Sequence, residues 1–159
     1  NEYSLWSRNA EIAALDACRE LGVAFVPFSP VARGFLTGKL RDLSGLDAKD
    51  IRRGMPRFQP DNFAANLKLL DGYTALAAEA GCTPAQLALA WLLAKGPHIV
   101  PIPGTTSAEH LVENIGAAEV VLAPAIVDQL DALINRHTVA GPRYSLSTQS
   151  EIDTEEFSP

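Results

Sequence analysis

An α/β fold built on parallel strands is what this sequence predicts, and three observations carry that expectation. Short apolar, β-branched runs at Val23–Phe28 and Ile99–Ile102 stand between longer segments with helical periodicity. Each run is followed by a loop bearing glycine and hydroxyl residues, Ser29–Gly38 and Gly104–Ser107. The first thirty or so residues read strand, helix, strand, which is a βαβ unit.

The elements follow in order. Glu2–Trp6 is a short, aromatic strand candidate. Asn9 fits the N-cap of a helix with Ile12, Leu15 and Cys18 inward, ending at Gly22 as a C′ glycine. Val23–Phe28 is apolar nearly throughout, as expected for a strand buried on both faces. Residues 39–62 are charged, carry Arg52, Arg53 and Arg57, and show no period. A loop of that length is either a functional cover or a solvated excursion. Helices resume over 64–80, with Leu67, Leu70, Tyr73, Leu76 and Ala80 on one face. Thr83-Pro84 starts the next helix, which buries Leu87, Trp91 and Ala94 and stops at Gly96-Pro97.

The stretch from His98 to Ala117 organises the rest. A strand is followed by Gly104, Thr105, Thr106 and Ser107, and Thr106 with Glu109 fits a capping box. Leu111, Val112 and Ile115 form the expected buried stripe of the helix, with Glu113 and Asn114 towards the other side. Such a turn can hold an anion on free backbone amides; equally, its hydroxyls can do no more than cap the helix. Pro124 starts a last helix with Ile126, Val127, Leu130, Leu133 and Ile134 inward. The pattern divides the chain into a packed part, 1–139, and an irregular tail, 140–159.

The chain has 159 residues, 47% of them hydrophobic, which is enough for one sizeable core. Its net charge of −6 argues against nucleic acid or an anionic membrane as the main partner. No apolar run reaches transmembrane length, and no signal peptide is visible. Cys18 and Cys82 lack metal spacing; free thiols in a reducing, cytoplasmic setting are expected, with a Cys18–Cys82 disulfide as the alternative. The chain opens inside an element at Asn1, so 159 residues are expected to be part of a longer protein. Three parallel strands cannot close a barrel, and alone they leave unpaired edges.

Three ordered motifs carry a resemblance: Val26–Lys39, Thr83–Leu93 and Ile102–Ala117. They resemble the C-terminal half of the aldo-keto reductases over about Glu2 to Val139. The resemblance implies a (β/α)₈ TIM barrel, of which this chain is a C-terminal part: about strands six to eight, their helices and the final helix. It implies NADP as cofactor, with NAD tolerated, and a small-molecule carbonyl substrate. Phe28 matches the aromatic, usually tyrosine, that stacks on the nicotinamide. Ser29, Val31, Arg33 and Gly34 match the pyrophosphate loop. Gly104, Thr105, Thr106 and Ser107 match the 2′-phosphate site, and His110, Glu113 and Asn114 match the adenine positions. Each also has a plain structural reading: Phe28 as core, Arg33 as a surface charge, Glu113 as a solvated helix residue.

The family's catalytic Asp, Tyr, Lys and His match nothing here, so this chain carries no catalytic residue and the missing N-terminal half is its expected partner. The implied activity of the complete protein is carbonyl reduction by hydride transfer. The rival reading is a non-catalytic, NADPH-binding regulatory subunit resembling the potassium-channel β-subunits; a third is an inactive truncated product.

Overall fold

In the computed structural model, which describes residues 1–153 and 155–157, three extended segments lie side by side and parallel. Glu2 pairs with Phe28, Phe25 with Ile99 and Phe28 with Ile102, so the 25–28 segment lies in the middle. The pairing consists of single bridges rather than a continuous ladder. Phe25 and Val100 donate to His98 and Phe25 at 2.8 and 2.9 Å, and Phe28 donates to Asn1 at 3.1 Å. Proline explains the brevity: Pro27 cannot donate from the middle segment, nor Pro101 and Pro103 from the outer one.

Among the described residues seven α-helices accompany these segments: α1 (Ala14–Leu21), α2 (Pro60–Leu67), α3 (Leu69–Glu79), α4 (Pro84–Ala94), α5 (Ala108–Gly116), α6 (Pro124–Leu133) and α7 (Leu146–Gln149). Asn9–Glu11, placed at the start of the first helix by sequence, is a separate 3₁₀ turn; α1 begins at Ala14 and closes on Gly22 at φ 65°. The expected helix over 64–80 is two, α2 and α3, meeting at Lys68. Among the described residues no single helix is long and apolar enough to cross a membrane.

Helix α4 is the core. Thr83 Oγ accepts the Gln86 N–H at 3.2 Å and Gln86 Oε1 accepts the Thr83 N–H at 3.1 Å, closing a capping box. Leu87, Trp91 and Leu92 are fully buried, whereas Ala94, expected inward, is exposed because the helix is ending there. Trp91 meets Tyr3 at 5.3 Å between ring centres. A second aromatic cluster stacks Trp6 on Phe35 at 4.2 Å and sets Phe58 and Phe63 around them. Phe58 comes from the unpatterned 39–62 stretch, which is therefore anchored and folded through two 3₁₀ turns, Ile51–Gly54 and Pro56–Phe58.

Polar groups close the core at one side. Asp131 accepts from Trp91 Nε1 at 2.9 Å, Lys95 Nζ at 2.7 Å and Arg8 Nη1 at 3.0 Å. Burial works against its charge, but Lys95 and Arg8 hold the carboxyl below the usual range.

Two expectations from the sequence are corrected. The 23–28 segment is buried on one face only: Phe25 and Ile99 are 5% and 3% exposed, while Val26 and Val100 are 45% and 50% exposed. Helices cover one face, and three segments are too few to curl round and cover the other. The stripe expected on α5 is not buried either. Leu111, Val112 and Ile115 are 50%, 71% and 65% exposed, and the half-buried positions are Glu113 and Asn114. The α5 helix rests on α4 through that second face, where Gln86 Nε2 donates to the Glu113 carbonyl at 3.1 Å. The apolar stripe faces away, and among the described residues nothing buries it.

Candidate cofactor site

The two loops singled out in the sequence meet. They border two adjoining cavities of about 310 and 850 Å³. Val31, Gly34, Gly104 and His110 line both. Thr105, Glu113 and Asn114 line the smaller, and Phe28, Ser29 and Arg33 the larger. Thr106 and Ser107 line neither.

Why the first loop curves as it does is written in its backbone. Ser29, Ala32 and Arg33 have φ of 52°, 51° and 56°, followed by Gly34 at 90°. Left-handed geometry costs a non-glycine residue about 1–2 kcal/mol, so this run persists only because its surroundings hold it. Ala32 donates to the Ser29 carbonyl at 2.9 Å, and Gly34 and Leu36 to that of Val31 at 3.1 and 3.2 Å. Phe35 and Leu36 plug the turn into the core. Alternation of right- and left-handed residues makes a concave backbone of the kind that receives anions. Phe28, just before it, is 37% exposed on the open face of the sheet, so its ring is available to a ligand.

The second loop leads into α5, and here the expected cap is corrected. Ser107, not Thr106, is the N-cap: its Oγ accepts the His110 N–H at 3.3 Å. Thr105 Oγ accepts the Ser107 N–H at 3.1 Å, which ties the turn. The Ser107 hydroxyl is therefore committed to the helix, and α5 presents its positive end beside Gly104 and Thr105.

Arg33 is placed under its own loop. Its Nη2 donates to Tyr144 Oη at 3.0 Å and lies 3.5 Å from Glu2 Oε2. The cation that sequence reasoning missed is Arg52, which lines both cavities. Asp50 holds it in a two-point fork at 2.9 and 2.6 Å, and its Nη1 donates to the Arg33 carbonyl at 3.1 Å. That bonding from Arg52 pushes the Asp50 carboxyl down to about 2. Lys39 and Lys49 add positive charge to the smaller and the larger cavity. The signal in the sequence was the arginine-rich 39–62 stretch, but nothing in its pattern said which arginine turns inward.

None of the tyrosines offers an acid to these cavities. Tyr3 is fully buried and donates to Glu11 at 2.6 Å, and burial raises its hydroxyl far above the ordinary value. Burial does the same to Tyr73, whose hydroxyl donates to the Pro84 carbonyl. Tyr144 is engaged with Glu2 and Arg33. Among the described residues no group of three or more His, Cys, Asp or Glu is placed to hold a metal. Cys18 and Cys82 are free, which removes the disulfide alternative.

Parallel segments, helices over one face and glycine-bearing loops at the segment ends are an α/β arrangement. The sequence profile of the aldo/keto reductase family matches residues 1–135, and the chain belongs to that family. It is 40% identical over 150 residues to the aldo-keto reductase yakc [NADP(+)] of Schizosaccharomyces pombe, covering 94% of this chain and 44% of that protein. Among solved structures it is similar to the thermostable aldo-keto reductase Tm1743 in complex with the inhibitor epalrestat. That likeness has a TM-score of 0.55 and 28% identity, over 83% of this chain and 38% of the other. It also shares its fold with the glycerol dehydrogenase AKR11B4 of Gluconobacter oxydans, at a TM-score of 0.73 and 24% identity over 86% and 41%. The chain thus spans about two fifths of the length of these relatives.

Proposed function

We propose that this chain is the cofactor-binding part of an NADPH-dependent aldo-keto reductase, contributing about strands six to eight of a TIM barrel. The observation that carries this reading is the convergence of Ser29–Gly34 and Gly104–Thr105 on adjoining cavities at the ends of parallel segments. The residues fit a dinucleotide. Phe28 offers a flat exposed ring, the left-handed run a concave backbone for the pyrophosphate, and the start of α5 with Arg52 a positive environment for further phosphate. His110, Glu113 and Asn114 border the smaller cavity at the adenine end.

The cofactor, when bound, supplies the hydride; this chain's residues bind and orient it and keep its ring against Phe28. The proton donor comes from the partner half of the barrel, because the tyrosines here are buried or engaged. The carbonyl substrate then lies beside Phe28 at the C-terminal ends of the segments, between this chain and that partner half. The relative named for NADP(+) supports the cofactor, and a cytoplasmic location belongs to the same proposal.

The test is complementation. Mixed or co-expressed with an N-terminal aldo-keto reductase half bearing the tetrad, this chain restores NADPH-dependent aldehyde reduction. Phe28→Ala then raises the KM for NADPH by removing the stacking surface. Full activity of the N-terminal half without this chain would refute the reading.

A further inference from the structure

Glu2 is a carboxylate only 6% exposed, and it is the meeting point of three parts of the chain. Its Oε1 accepts from Ser7 Oγ at 2.8 Å. Its Oε2 accepts from Arg143 Nε and Tyr144 Oη, both at 3.1 Å, and has Arg33 Nη2 at 3.5 Å. Arg33 also lies over the Tyr144 ring at 5.8 Å and Arg143 over the same ring at 4.7 Å. A buried carboxylate is tolerated when charged donors surround it, and here two guanidiniums and two hydroxyls do so.

The placement is informative because of what lies between the tethers. The backbone of Glu2 pairs with Phe28, and its side chain reaches Arg33. The left-handed stretch from Ser29 to Arg33 is therefore stapled at both ends to one residue. Above it, Arg52 holds the Arg33 carbonyl; below it, Glu2 holds the Arg33 guanidinium. The residues that complete the lower tether, Arg143 and Tyr144, come from the far end of the chain. Asn66 fixes that segment by accepting the Ala140 N–H at 2.8 Å and donating to the Ala140 carbonyl at 3.0 Å, and Arg57 Nε donates to the Gly141 carbonyl at 3.2 Å.

We infer that Glu2 is a positioning residue for the cofactor loop: with Arg143 and Tyr144 it fixes Arg33 and so keeps Ser29–Gly34 in its left-handed, anion-receptive shape. The C-terminal strap is thereby part of the cofactor site without lining it. Strain of this kind relaxes when a tether is cut, so the loop loosens before the core does.

The experiment is amide hydrogen exchange on the 159-residue chain, comparing parent, Glu2→Gln and Tyr144→Phe. The Ala32, Gly34 and Leu36 amides report on the loop, and α4 reports on the core. The expected result is exchange about tenfold faster over 29–38 in Glu2→Gln, a smaller rise in Tyr144→Phe, and unchanged exchange in α4. Loop exchange that does not move, or that rises only in parallel with α4, overturns the inference, the second case making Glu2 a general stability residue. The link to the site rests on the NADPH reading and is tested separately by NADPH titration of the same variants. Weaker binding in proportion to loop exchange supports it; a loosened loop with unchanged affinity overturns the positioning role. A parent chain that does not bind NADPH refutes the cofactor reading and leaves the exchange result to decide whether Glu2 holds the loop.

Discussion

Replacing Gly34 by alanine separates the shape of the Ser29–Gly34 loop, the proposed cofactor cradle, from the stability of the chain. Gly34 sits at φ 90°, ψ −7°, outside the left-handed well near 50–60° that its neighbours Ser29, Ala32 and Arg33 occupy. A Cβ there would meet Arg52 Nη1 at 3.5 Å, an ordinary contact, so the cost is conformational rather than steric. It amounts to about 1–2 kcal/mol for a residue with a side chain. Gly22 provides the control: it is left-handed at φ 65°, an added Cβ would meet nothing within 4 Å, and it lines neither cavity. In thermal melts both variants lose stability, each by roughly 2–8 °C for a chain of this size. In NADPH titrations they part. If Gly34→Ala relieves its strain by leaving the native turn, the Kd rises by up to roughly tenfold for about 1.4 kcal/mol, while Gly22→Ala leaves it unchanged. Equal melting losses with the same Kd in both variants would show that the turn's conformation is no part of the site.

Three further outcomes follow from the geometry. Thr83→Ala removes one half of the capping box that starts the core helix and should cost about 1 kcal/mol, read as a lower denaturant midpoint at constant slope. Ser107→Arg forfeits the α5 cap, whereas Thr106→Arg adds the same charge and spares it; Thr106→Arg should tighten NADPH over NADH without loss of Tm, and a fall in Tm equal to that of Ser107→Arg would contradict the assignment of the cap. The folded-state pKa of Asp50, about 2, lies below the usual carboxylate value. Its pairing with Arg52 is therefore fully present above about pH 4 and is lost as pH falls towards 2. An acid titration of the melt should show that loss reduced in Asp50→Asn, and identical acid profiles would count against the pair.

How much of this was legible beforehand depends on whether local chemistry or distant packing decided it. Thr83-Pro84 announced α4 because an N-cap followed by proline at the first helical position is a property of adjacent residues. Gly22 announced the end of α1 for the same kind of reason. The two glycine-bearing loops could be picked out, as could the order of strands and helices, because periodicity and turn residues are local signals. That these loops converge on shared cavities needed the parallel pairing of Phe25 with Ile99 and Phe28 with Ile102.

Other features were decided only by tertiary structure. Periodicity showed that Leu111, Val112 and Ile115 share a face, but a face is buried only if something packs on it, and α5 lies on α4 through Glu113 and Asn114 instead. An apolar run marked 23–28 as a strand; which side of it the helices cover depends on how many strands surround it. Arg52 turns inward because Asp50 grips it and the Arg33 carbonyl awaits it, while Arg53 bonds to the carbonyls of its own loop. Glu2 read as the start of a short strand, and its role as a hub joining residues 2, 33, 143 and 144 arises across separations no sequence period reports. Sequence by itself determined the order of the elements, the start of α4, the end of α1 and the family motifs, since those rest on neighbours along the chain. The tertiary structure decided burial, charge pairing and the strained loop, since those rest on neighbours in space.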